Sequence, residues 1–246
     1  MDFTTKIKMI KLKLADFIIQ INNKYDFVER QCLGYIVDDG EPDLIIECTE
    51  EDIQQEITNY DNPSYANKGY CESICIYRNL CLQLPKYDAF LMHSAVLDVD
   101  GKSYAFTAKS GTGKSTHINL WKKLLGEKVT VVNGDKPILR FIDGELYIYG
   151  TPWCGKEGWN TNMRSTLKGL CFLERAEKNS IIPLEKSESA MRIMNQILMP
   201  SDPLDAMSTL ELMDRMLMKV DTWLLGCNMD IEAAKIAYES MSGEKI

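Results

Sequence analysis

The chain has 246 residues, of which 45% are hydrophobic and 26% are charged, so it is long enough for one main domain and a smaller accessory lobe. Its net charge of −8 argues against non-specific binding to nucleic acid or to an anionic membrane, and no apolar run approaches the ~20 residues that span a bilayer. The N-terminus lacks the apolar block of a signal peptide and the eight cysteines lack metal-binding spacing, which predicts a cytoplasmic protein with reduced thiols.

The first third of the chain predicts a small lobe of mixed α+β structure. Alternating apolar residues and turn signals give strands at 6–20, 32–37 and 44–47 and helices at 50–57 and 72–84. A polar stretch that contains Asn, Pro and Gly separates the two helices. No residue pattern in this part suggests chemistry, so we expect residues 1–85 to be an accessory lobe.

Residues 86–246 carry a tighter pattern of strands, hairpins and helices. Strands are predicted at 90–97, 102–107, 129–132, 138–142, 145–149, 167–173 and 222–225, and helices at 114–125, 187–199, 205–220 and 230–241. Asp100-Gly101 and Asp143-Gly144 are turn dipeptides, so the strands on either side of each one form a hairpin. This pattern predicts an α/β domain that leans towards α+β and is built on a mixed sheet.

One segment of this domain carries chemistry, Ala108-Lys109-Ser110-Gly111-Thr112-Gly113-Lys114-Ser115-Thr116. It matches the Walker A pattern G-x-x-x-x-G-K-[ST] except that alanine replaces the first glycine, and it stands between a predicted strand and an amphipathic helix. In that context backbone N–H groups can turn towards an anion, and the positive end of the helix dipole favours it. The pattern therefore predicts a phosphate-binding loop, or P-loop, whose nucleotide contacts are Ser110, Gly111, Thr112, Gly113, Lys114, Ser115 and Thr116.

Two residues of the P-loop have expected roles that follow from their chemistry. Lys114 is expected to bridge the outer phosphates, and the hydroxyl of Ser115 is expected to bind Mg²⁺. The predicted ligands are a nucleoside triphosphate and Mg²⁺. ATP is the expected nucleotide, with GTP left open because a base pocket leaves little sequence pattern.

Two short strings also match GTPase motifs. Asn23-Lys24-Tyr25-Asp26 matches the guanine-reading string Asn-Lys-x-Asp, and Asp98-Val99-Asp100-Gly101 matches Asp-x-x-Gly. The second string falls in a predicted hairpin turn before the P-loop, and the first lies in the N-terminal lobe, which would require a permuted chain order. Hairpins on both sides of the P-loop also differ from parallel-sheet NTPases, whose strands are joined by helical crossovers. A GTPase is therefore disfavoured.

The hairpins, the P-loop and an acidic residue after the next strand resemble the HPr serine kinase/phosphorylase and phosphoenolpyruvate carboxykinase superfamily. The resemblance covers about residues 88–175 and is carried by the segments 91–95, 113–117 and 132–137. The stretch Gly150-Thr151-Pro152-Trp153 is similar to one in small HPr-kinase-like proteins that are often linked to peptide modification. The resemblance implies a P-loop mixed sheet with flanking β-hairpins and ATP-dependent phosphoryl transfer. Carboxykinases are much longer, so decarboxylation is not expected.

The resemblance also implies an active site around His93 and Asp135. Carried over by position, Asp135 is expected to act as a base or to share Mg²⁺ with Ser115, and His93 is expected to orient Asp135 or to share the proton. The family usually has two adjacent acidic residues here, whereas this chain has Gly134 before Asp135. That departure leaves one carboxylate for two tasks.

The segment 150–164 is long and contains several glycines and charges, which is more than a simple connection needs. We expect it to form a lid over the acceptor. Within it, Arg164 is expected to stabilise the transferring phosphate, and Lys156 and Glu157 are expected to contact the acceptor. The expected catalytic residues are therefore Asp135, His93, Lys114 and Arg164.

These residues predict a Mg²⁺-dependent kinase that transfers the terminal phosphate of ATP to a hydroxyl of a peptide, a protein or a small molecule. One alternative is a non-catalytic nucleotide-binding accessory protein of a peptide-maturation system, which the missing second acidic residue favours. Another is a phosphorylase that removes phosphate from phosphoserine. Relatives in the superfamily form oligomers, so a homo-oligomer is an open expectation, while neither nucleic acid nor membrane is expected as a partner.

Overall fold

Residues 7–59, 67–109 and 111–246 are described by the computed structural model, and they form a mixed α/β structure. The chain divides into two units, Met1–Leu84 and Pro85–Ile246, each with its own buried apolar residues. Ser110, which the sequence assigns to the P-loop, lies outside the described residues. All eight cysteines have free thiols, and all but Cys227 are buried. No helix within the described ranges is both long and apolar enough to cross a membrane.

The described part of the N-terminal unit combines a three-stranded sheet with three α-helices. The strands are β1 (Lys8–Leu14), β2 (Phe17–Asn23) and β3 (Leu44–Glu47), and the helices are α1 (Asp26–Gln31), α2 (Glu50–Thr58) and α3 (Lys68–Gln83). β2 pairs antiparallel with β1 and parallel with β3. Alternate residues of β2 are buried, as expected for a sheet with one covered face. Thr49 and Asp52 form a capping box at the start of α2.

Two predictions for this unit are wrong, for local reasons. The single strand predicted at 6–20 is a hairpin, because Ala15 and Asp16 adopt positive φ angles of 52° and 61° and reverse the chain. This tight turn usually carries Asn-Gly, so Ala-Asp gave no turn signal. The strand predicted at 32–37 is instead a 3-10 turn, Leu33–Tyr35. It continues directly from α1, since the Cys32 N–H donates to the Val28 carbonyl at 3.0 Å.

The string that matches the guanine-reading motif is a structural turn whose first residue is buried. The Asn23 side chain is fully buried and donates to the Tyr25 carbonyl at 2.9 Å. The carboxylate of Glu72 accepts from the backbone N–H groups of Lys24 and Tyr25 at 2.6 and 2.9 Å. An asparagine held in this way is not presented to a base.

The second unit is built on one large sheet with helices on both faces. Its strands are β4 (Ala89–Leu91), β5 (Ala95–Val99), β6 (Lys102–Thr107), β7 (Val129–Asn133), β8 (Ile138–Ile142), β9 (Glu145–Tyr149), β10 (Arg164–Arg175), β11 (Ser180–Pro183) and β12 (Asp221–Cys227), and its helices are α4 (Lys114–Leu125), α5 (Lys186–Ile193), α6 (Pro203–Lys219) and α7 (Ile231–Ser242). The strand order is β4-β8-β9-β10-β6-β5-β7, with β12 beside β10 and β11 beside β12. The sheet is mixed, because β10 runs parallel to β6 and β12 while the hairpins β5–β6 and β8–β9 are antiparallel.

Two apolar cores lie on opposite faces of this sheet. One contains Ile193 of α5 and Met213 and Met216 of α6, packed against sheet residues such as Phe172. The other contains Trp121 of α4 with side chains of α7 and of β6. Each helix has the spacing of an amphipathic helix whose apolar stripe covers one face of the sheet. Of the methionines of α6, Met213 and Met216 are buried in this core, whereas Met207 and Met218 are exposed.

The apolar segment predicted as one strand at 90–97 is two strands that pair with different neighbours. β4 pairs with β8, whereas β5 pairs with β6 and β7. Residues 92–94 form the break, in which Met92 makes an isolated bridge with Ile197 and the His93 N–H donates to the Gln196 carbonyl at 2.7 Å. The break therefore takes His93 out of the sheet's hydrogen-bond ladder. The predicted helices 114–125 and 205–220 are confirmed to within two residues, whereas helix 187–199 ends early, at Ile193.

His117 of α4 belongs to the core and not to the surface. It is buried, its ring centroid lies 4.7 Å from that of Phe106, and its Nε2 accepts from Trp121 Nε1 at 2.9 Å. Because Nε2 is an acceptor, the ring proton of the neutral form is on Nδ1. Burial lowers the pKa of His117 to about 3.

This pKa predicts a loss of stability in mild acid. His117 binds a proton near pH 6.5 when unfolded but only near pH 3 when folded, so the unfolded state binds more protons between these values and stability falls as the pH falls. We expect the contribution of this group to approach about 1.4 kcal/mol per pH unit below pH 6, and to be absent in His117→Gln. Urea unfolding can be followed by tryptophan fluorescence, because all four tryptophans lie in Pro85–Ile246. Equal pH slopes in the two proteins would contradict the prediction.

Candidate functional site

The P-loop joins the end of β6 to the start of α4, as the sequence predicts. Gly111 and Gly113 have φ angles of +77° and +127°, a region that residues with a Cβ atom rarely adopt. Gly113 is the N-cap of α4, and no side chain caps the first turn of this helix. The first N–H groups of a helix need partners. An anion in the P-loop would provide them.

Lys114 is a partly buried cation in this loop. Its amine donates to the Ala108 carbonyl at 3.3 Å, and no carboxylate of the described ranges lies within ion-pair distance of it. Burial lowers the pKa of Lys114, while the negative charges of Asp135 and Glu157 partly oppose this effect. A desolvated ammonium group without a close counter-ion is unfavourable in the free protein. A phosphate at this position would therefore stabilise it.

The next residue of α4 is bonded to the segment that follows β9. The Ser115 hydroxyl donates to Glu157 Oε1 at 2.9 Å. Thr116 is exposed on the next position of the helix. Glu157 lies in a tight turn, since the Gly158 N–H donates to the Gly155 carbonyl at 3.2 Å. The sequence places this glutamate in a long loop but does not indicate its contact with Ser115.

His93 and Asp135 form a hydrogen-bonded pair beside the P-loop. His93 Nε2 lies 2.7 Å from Asp135 Oδ1, and Lys136 Nζ makes an ion pair with Asp135 Oδ2. Burial alone would raise the pKa of the Asp135 carboxyl, but the hydrogen bonds from His93 and Lys136 and the positive charge of Lys136 outweigh burial and hold this pKa well below its usual range. Asp135 is thus a carboxylate that only accepts hydrogen bonds, so Nε2 carries the proton of the His93 ring.

Backbone hydrogen bonds connect this pair to the P-loop. The hydroxyl of Thr107, the last residue of β6, donates to the His93 carbonyl at 2.8 Å. The Ser94 N–H donates to the Asp135 carbonyl at 3.0 Å. The break between β4 and β5 therefore lies between the end of β6 and the turn after β7. This arrangement places His93, Asp135 and the P-loop together, although they are separated in sequence.

The turn after β7 is organised by the buried side chain of Asn133. Its Oδ1 accepts from the N–H groups of Asp135 and Lys136 at 2.8 and 2.7 Å. Its Nδ2 donates to the carbonyl and the hydroxyl oxygen of Thr151, both at 3.1 Å. The Thr151 hydroxyl in turn donates to the Lys136 carbonyl at 2.8 Å. One amide group thus fixes the backbone of Asp135 and the start of the segment after β9.

Gly134 is covered closely by the segment that follows β9. Its N–H donates to the Trp159 carbonyl at 2.8 Å, and a Cβ atom added to it would lie 2.6 Å from the Cys154 carbonyl oxygen. Asn133 and Asn160 form an isolated antiparallel bridge beside it. The position before Asp135 therefore has no room for a side chain.

Arg164 is the first residue of β10, in register with Tyr149, and its guanidinium lies 4.8 Å from the centroid of the Tyr147 ring. Phe172, eight positions further along β10, is in register with Thr107, the residue that precedes the P-loop. The expected role of Arg164 at the transferring phosphate stays a prediction.

Arg175, at the other end of β10, contacts the P-loop. One of its terminal nitrogens donates to the Gly111 carbonyl at 2.6 Å, and its Nε donates to the Thr112 carbonyl at 3.4 Å. No sequence motif marks this arginine, because its contact depends on the parallel pairing of β10 with β6.

A cavity of about 850 Å³ opens beside the P-loop and the His93–Asp135 pair. It is bounded by His93 and Thr107, by Lys109 and Thr112 of the P-loop, by the end of β10 and by the residues after α5. Its size is within the range of pockets that bind small molecules or short segments of a chain. His93 is thus one of the residues that a ligand in this cavity can reach.

Comparison with known proteins assigns no family to this chain. No family model and no curated protein matches it. Among solved structures, the HPr(Ser) kinase/phosphatase from Coxiella burnetii is similar to this chain with a TM-score of 0.34 and 14% sequence identity, over 62% of this chain and 93% of that chain. Such similarity is too low to transfer an activity.

The Asn133 contacts predict that this residue is essential to the stability of the site. Asn133→Ala would leave the buried N–H groups of Asp135 and Lys136 without their acceptor, so we expect a loss of about 2–4 kcal/mol in the free energy of unfolding. Chemical denaturation followed by tryptophan fluorescence measures it. Asn119→Ala, at an exposed position of α4, is the control and should leave stability nearly unchanged. Equal stability of the two variants would contradict this role of Asn133.

Proposed function

We propose that this protein is a Mg²⁺-dependent kinase that transfers the terminal phosphoryl group of a nucleoside triphosphate, ATP or GTP, to a hydroxyl acceptor. The observation that carries the proposal is the placement of the His93–Asp135 pair beside a P-loop whose lysine has no carboxylate partner within the described residues. An anion-binding loop alone would suit any phosphate ligand. A histidine–carboxylate pair beside it adds the means to remove a proton from an acceptor.

The residues around Ser115 fit a magnesium ion that is bound together with phosphates. Within the described ranges, no three His, Cys, Asp or Glu side chains converge to hold a metal ion by themselves. Mg²⁺ at nucleotide sites takes its oxygen ligands from phosphates, water and one or two protein groups, so a serine hydroxyl with a nearby carboxylate is sufficient. When bound, Mg²⁺ supplies neutralisation of the charge on the phosphates.

The geometry of His93 and Asp135 suits proton transfer by the imidazole. Asp135 accepts from Nε2–H, and Nδ1 of His93 has no hydrogen-bond partner within the described residues. Neutral His93 can therefore accept the hydroxyl proton at Nδ1, while Asp135 orients the ring and stabilises its charged form. Asp135 itself is a weak base, since its pKa is held well below the usual range. This division of roles replaces the expectation that Asp135 is the base.

In the proposed reaction, the acceptor oxygen forms a bond to the terminal phosphorus while the bond to the bridging oxygen breaks. The hydroxyl proton goes to His93, and the nucleoside diphosphate leaves with the electron pair of the broken bond. Lys114 and the N–H groups at the start of α4 are placed to stabilise the negative charge on the phosphates. The chain contributes mainly positioning and charge stabilisation, as phosphoryl transfer requires.

The cavity beside His93 is the proposed entrance for the acceptor. Its charged lining residues are Lys109, Arg175, Arg192 and Glu174, of which Arg192 and Glu174 form an ion pair at 2.7 Å. Among the described residues, the buried side-chain oxygen of Gln196 has no hydrogen-bond donor. The cavity is larger than a single hydroxymethyl group needs, so it can hold several groups of a peptide or a polar small molecule.

Nucleotide binding is expected to depend on Lys114. Lys114→Ala removes the cation that is desolvated in the P-loop, so we expect the Kd for Mg-ATP or Mg-GTP to rise by about 10- to 100-fold. Isothermal titration calorimetry with both nucleotides measures the change. Lys123→Ala, exposed on the same helix, is the control and should bind like the wild type. If neither nucleotide binds to the wild type, the proposed function is wrong.

His93 is expected to affect phosphoryl transfer more strongly than it affects nucleotide binding. His93→Gln removes the proton acceptor, so we expect phosphoryl transfer to fall by about 10²- to 10⁴-fold while the nucleotide Kd changes less than about threefold. Transfer can be measured as phosphate released to water and as phosphate added to a mixture of serine peptides. Wild-type protein that binds nucleotide tightly but transfers phosphate to neither would favour the non-catalytic accessory function. Loss of phosphate from phosphoserine peptides that requires inorganic phosphate would identify a phosphorylase.

A further inference from the structure

We infer that Glu157 is the second carboxylate of this site, which orients the Ser115 hydroxyl and provides an oxygen for the divalent cation. It takes the role that an acidic residue at position 134 would otherwise have. The inference deepens the proposed function and depends on it. The ligand concerned is a divalent cation that binds together with a nucleotide.

The first support is the direct contact between Glu157 and the P-loop helix. Glu157 Oε1 accepts from the Ser115 hydroxyl at 2.9 Å, whereas Oε2 has no hydrogen-bond donor within the described ranges. A carboxylate that accepts from the metal-binding hydroxyl fixes the direction of its lone pairs. The second oxygen remains available to the cation or to a water bound to it, and hard cations prefer such oxygen ligands.

The second support is that Glu157 lies close to Asp135, so that both carboxylates are present at the site. The point where a Cβ atom of Gly155 would stand is 3.1 Å from Asp135 Cβ and 3.7 Å from Glu157 Oε2. The two carboxyl groups thus flank one glycine, and the negative charge of each acts on the Lys114 amine. The site therefore contains two carboxylates, although adjacent acidic residues are absent from the sequence.

The third support is the absence of space at Gly134, which explains why the carboxylate comes from elsewhere. The backbone of the segment after β9 passes directly over this glycine, with the Cys154 carbonyl where a Cβ atom would need to stand. The same segment is held by the buried Trp153, and the Trp159 ring centroid lies 4.9 Å from Lys122 Nζ of α4. The segment that leaves no room for a side chain at position 134 is the same segment that carries Glu157 to Ser115.

The fourth support is that, among the described residues, the oxygens of Asp135 both have partners, whereas one oxygen of Glu157 does not. Both oxygens of Asp135 are occupied, one by His93 and the other by Lys136. This leaves Asp135 suited to orienting the proton acceptor and poorly placed to bind a cation directly. Glu157 has a free oxygen at the Ser115 side of the P-loop, where the cation is expected. One carboxylate therefore need not perform two tasks.

The test is the effect of Mg²⁺ on nucleotide binding in Glu157→Gln, which keeps the side-chain size. ADP and ATP are titrated calorimetrically with Mg²⁺ and with EDTA. In the wild type we expect Mg²⁺ to strengthen binding. In Glu157→Gln we expect this strengthening to fall by about 10- to 100-fold, while binding in EDTA changes less than about threefold. Glu127→Gln, at an exposed position after α4, should behave like the wild type.

A second readout does not require nucleotide turnover. Mn²⁺ binding to the protein–ADP complex is measured by electron paramagnetic resonance, and we expect its affinity to fall by a similar factor in Glu157→Gln. Full Mn²⁺ affinity and an unchanged Mg²⁺ effect, in a variant with the unfolding midpoint of the wild type, would overturn the assignment. Absence of nucleotide binding in every protein would instead reject the proposed function.

The double variant Gly134→Asp with Glu157→Gln separates this assignment from the alternative of an acidic pair. An aspartate at 134 would meet the Cys154 carbonyl, so we expect no recovery of the Mg²⁺ effect and a lower unfolding midpoint. Recovery of the Mg²⁺ effect would show that position 134 has room for a carboxylate, and it would contradict the third support for the inference.

Discussion

The amide side chain of Asn133 is the interaction on which the rest of the site depends. It is fully buried, and through it the turn that carries Asp135 and the segment that carries Glu157 become one hydrogen-bonded unit. Buried polar groups stabilise a single arrangement only when each of their donors and acceptors has a partner. Both the oxygen and the nitrogen of this amide have partners in the turn and in the segment. One side chain thus sets the positions of both carboxylates. Its carboxamide hydrogen-bonds to backbone groups and to the Thr151 hydroxyl, and not to either carboxylate.

The site is also an electrostatic arrangement in which charges are only partly balanced. Asp135 has two positively charged or donating neighbours, which makes it a strongly held carboxylate. Within the described ranges, Lys114 has no carboxylate at ion-pair distance, and burial lowers the pKa of its amine. The unsatisfied charge in the free protein is therefore positive and lies in the P-loop. A ligand with several negative oxygens is the chemical class that corrects this imbalance.

The sequence was sufficient to predict the parts of this structure that depend on neighbouring residues. The loop between β6 and α4, the helix after it and the two hairpins were predicted because their turn dipeptides, glycines and apolar spacing are local signals. The break at 92–94 was missed because apolar residues continue on both sides of it, and the pairing partners decide where each strand ends. The contacts of Glu157 and Arg175 could not be predicted, since the folded sheet brings together residues that are about 40 to 60 positions apart. The contact of Arg164 with the Tyr147 ring likewise depends on the register of β10 with β9, which the sequence does not reveal.

The contacts of Arg175 with the P-loop also bear on how quickly a ligand could bind there. It holds the Gly111 and Thr112 carbonyls on one side of the P-loop, and because the peptide unit is planar, the Gly113 N–H must point to the other side. The orientation of this donor is therefore established when the chain folds and not when a ligand arrives. A donor oriented in advance costs little conformational entropy on association. For a ligand that accepts from this N–H, encounter by diffusion, and not rotation of this peptide unit, would then limit the rate of binding.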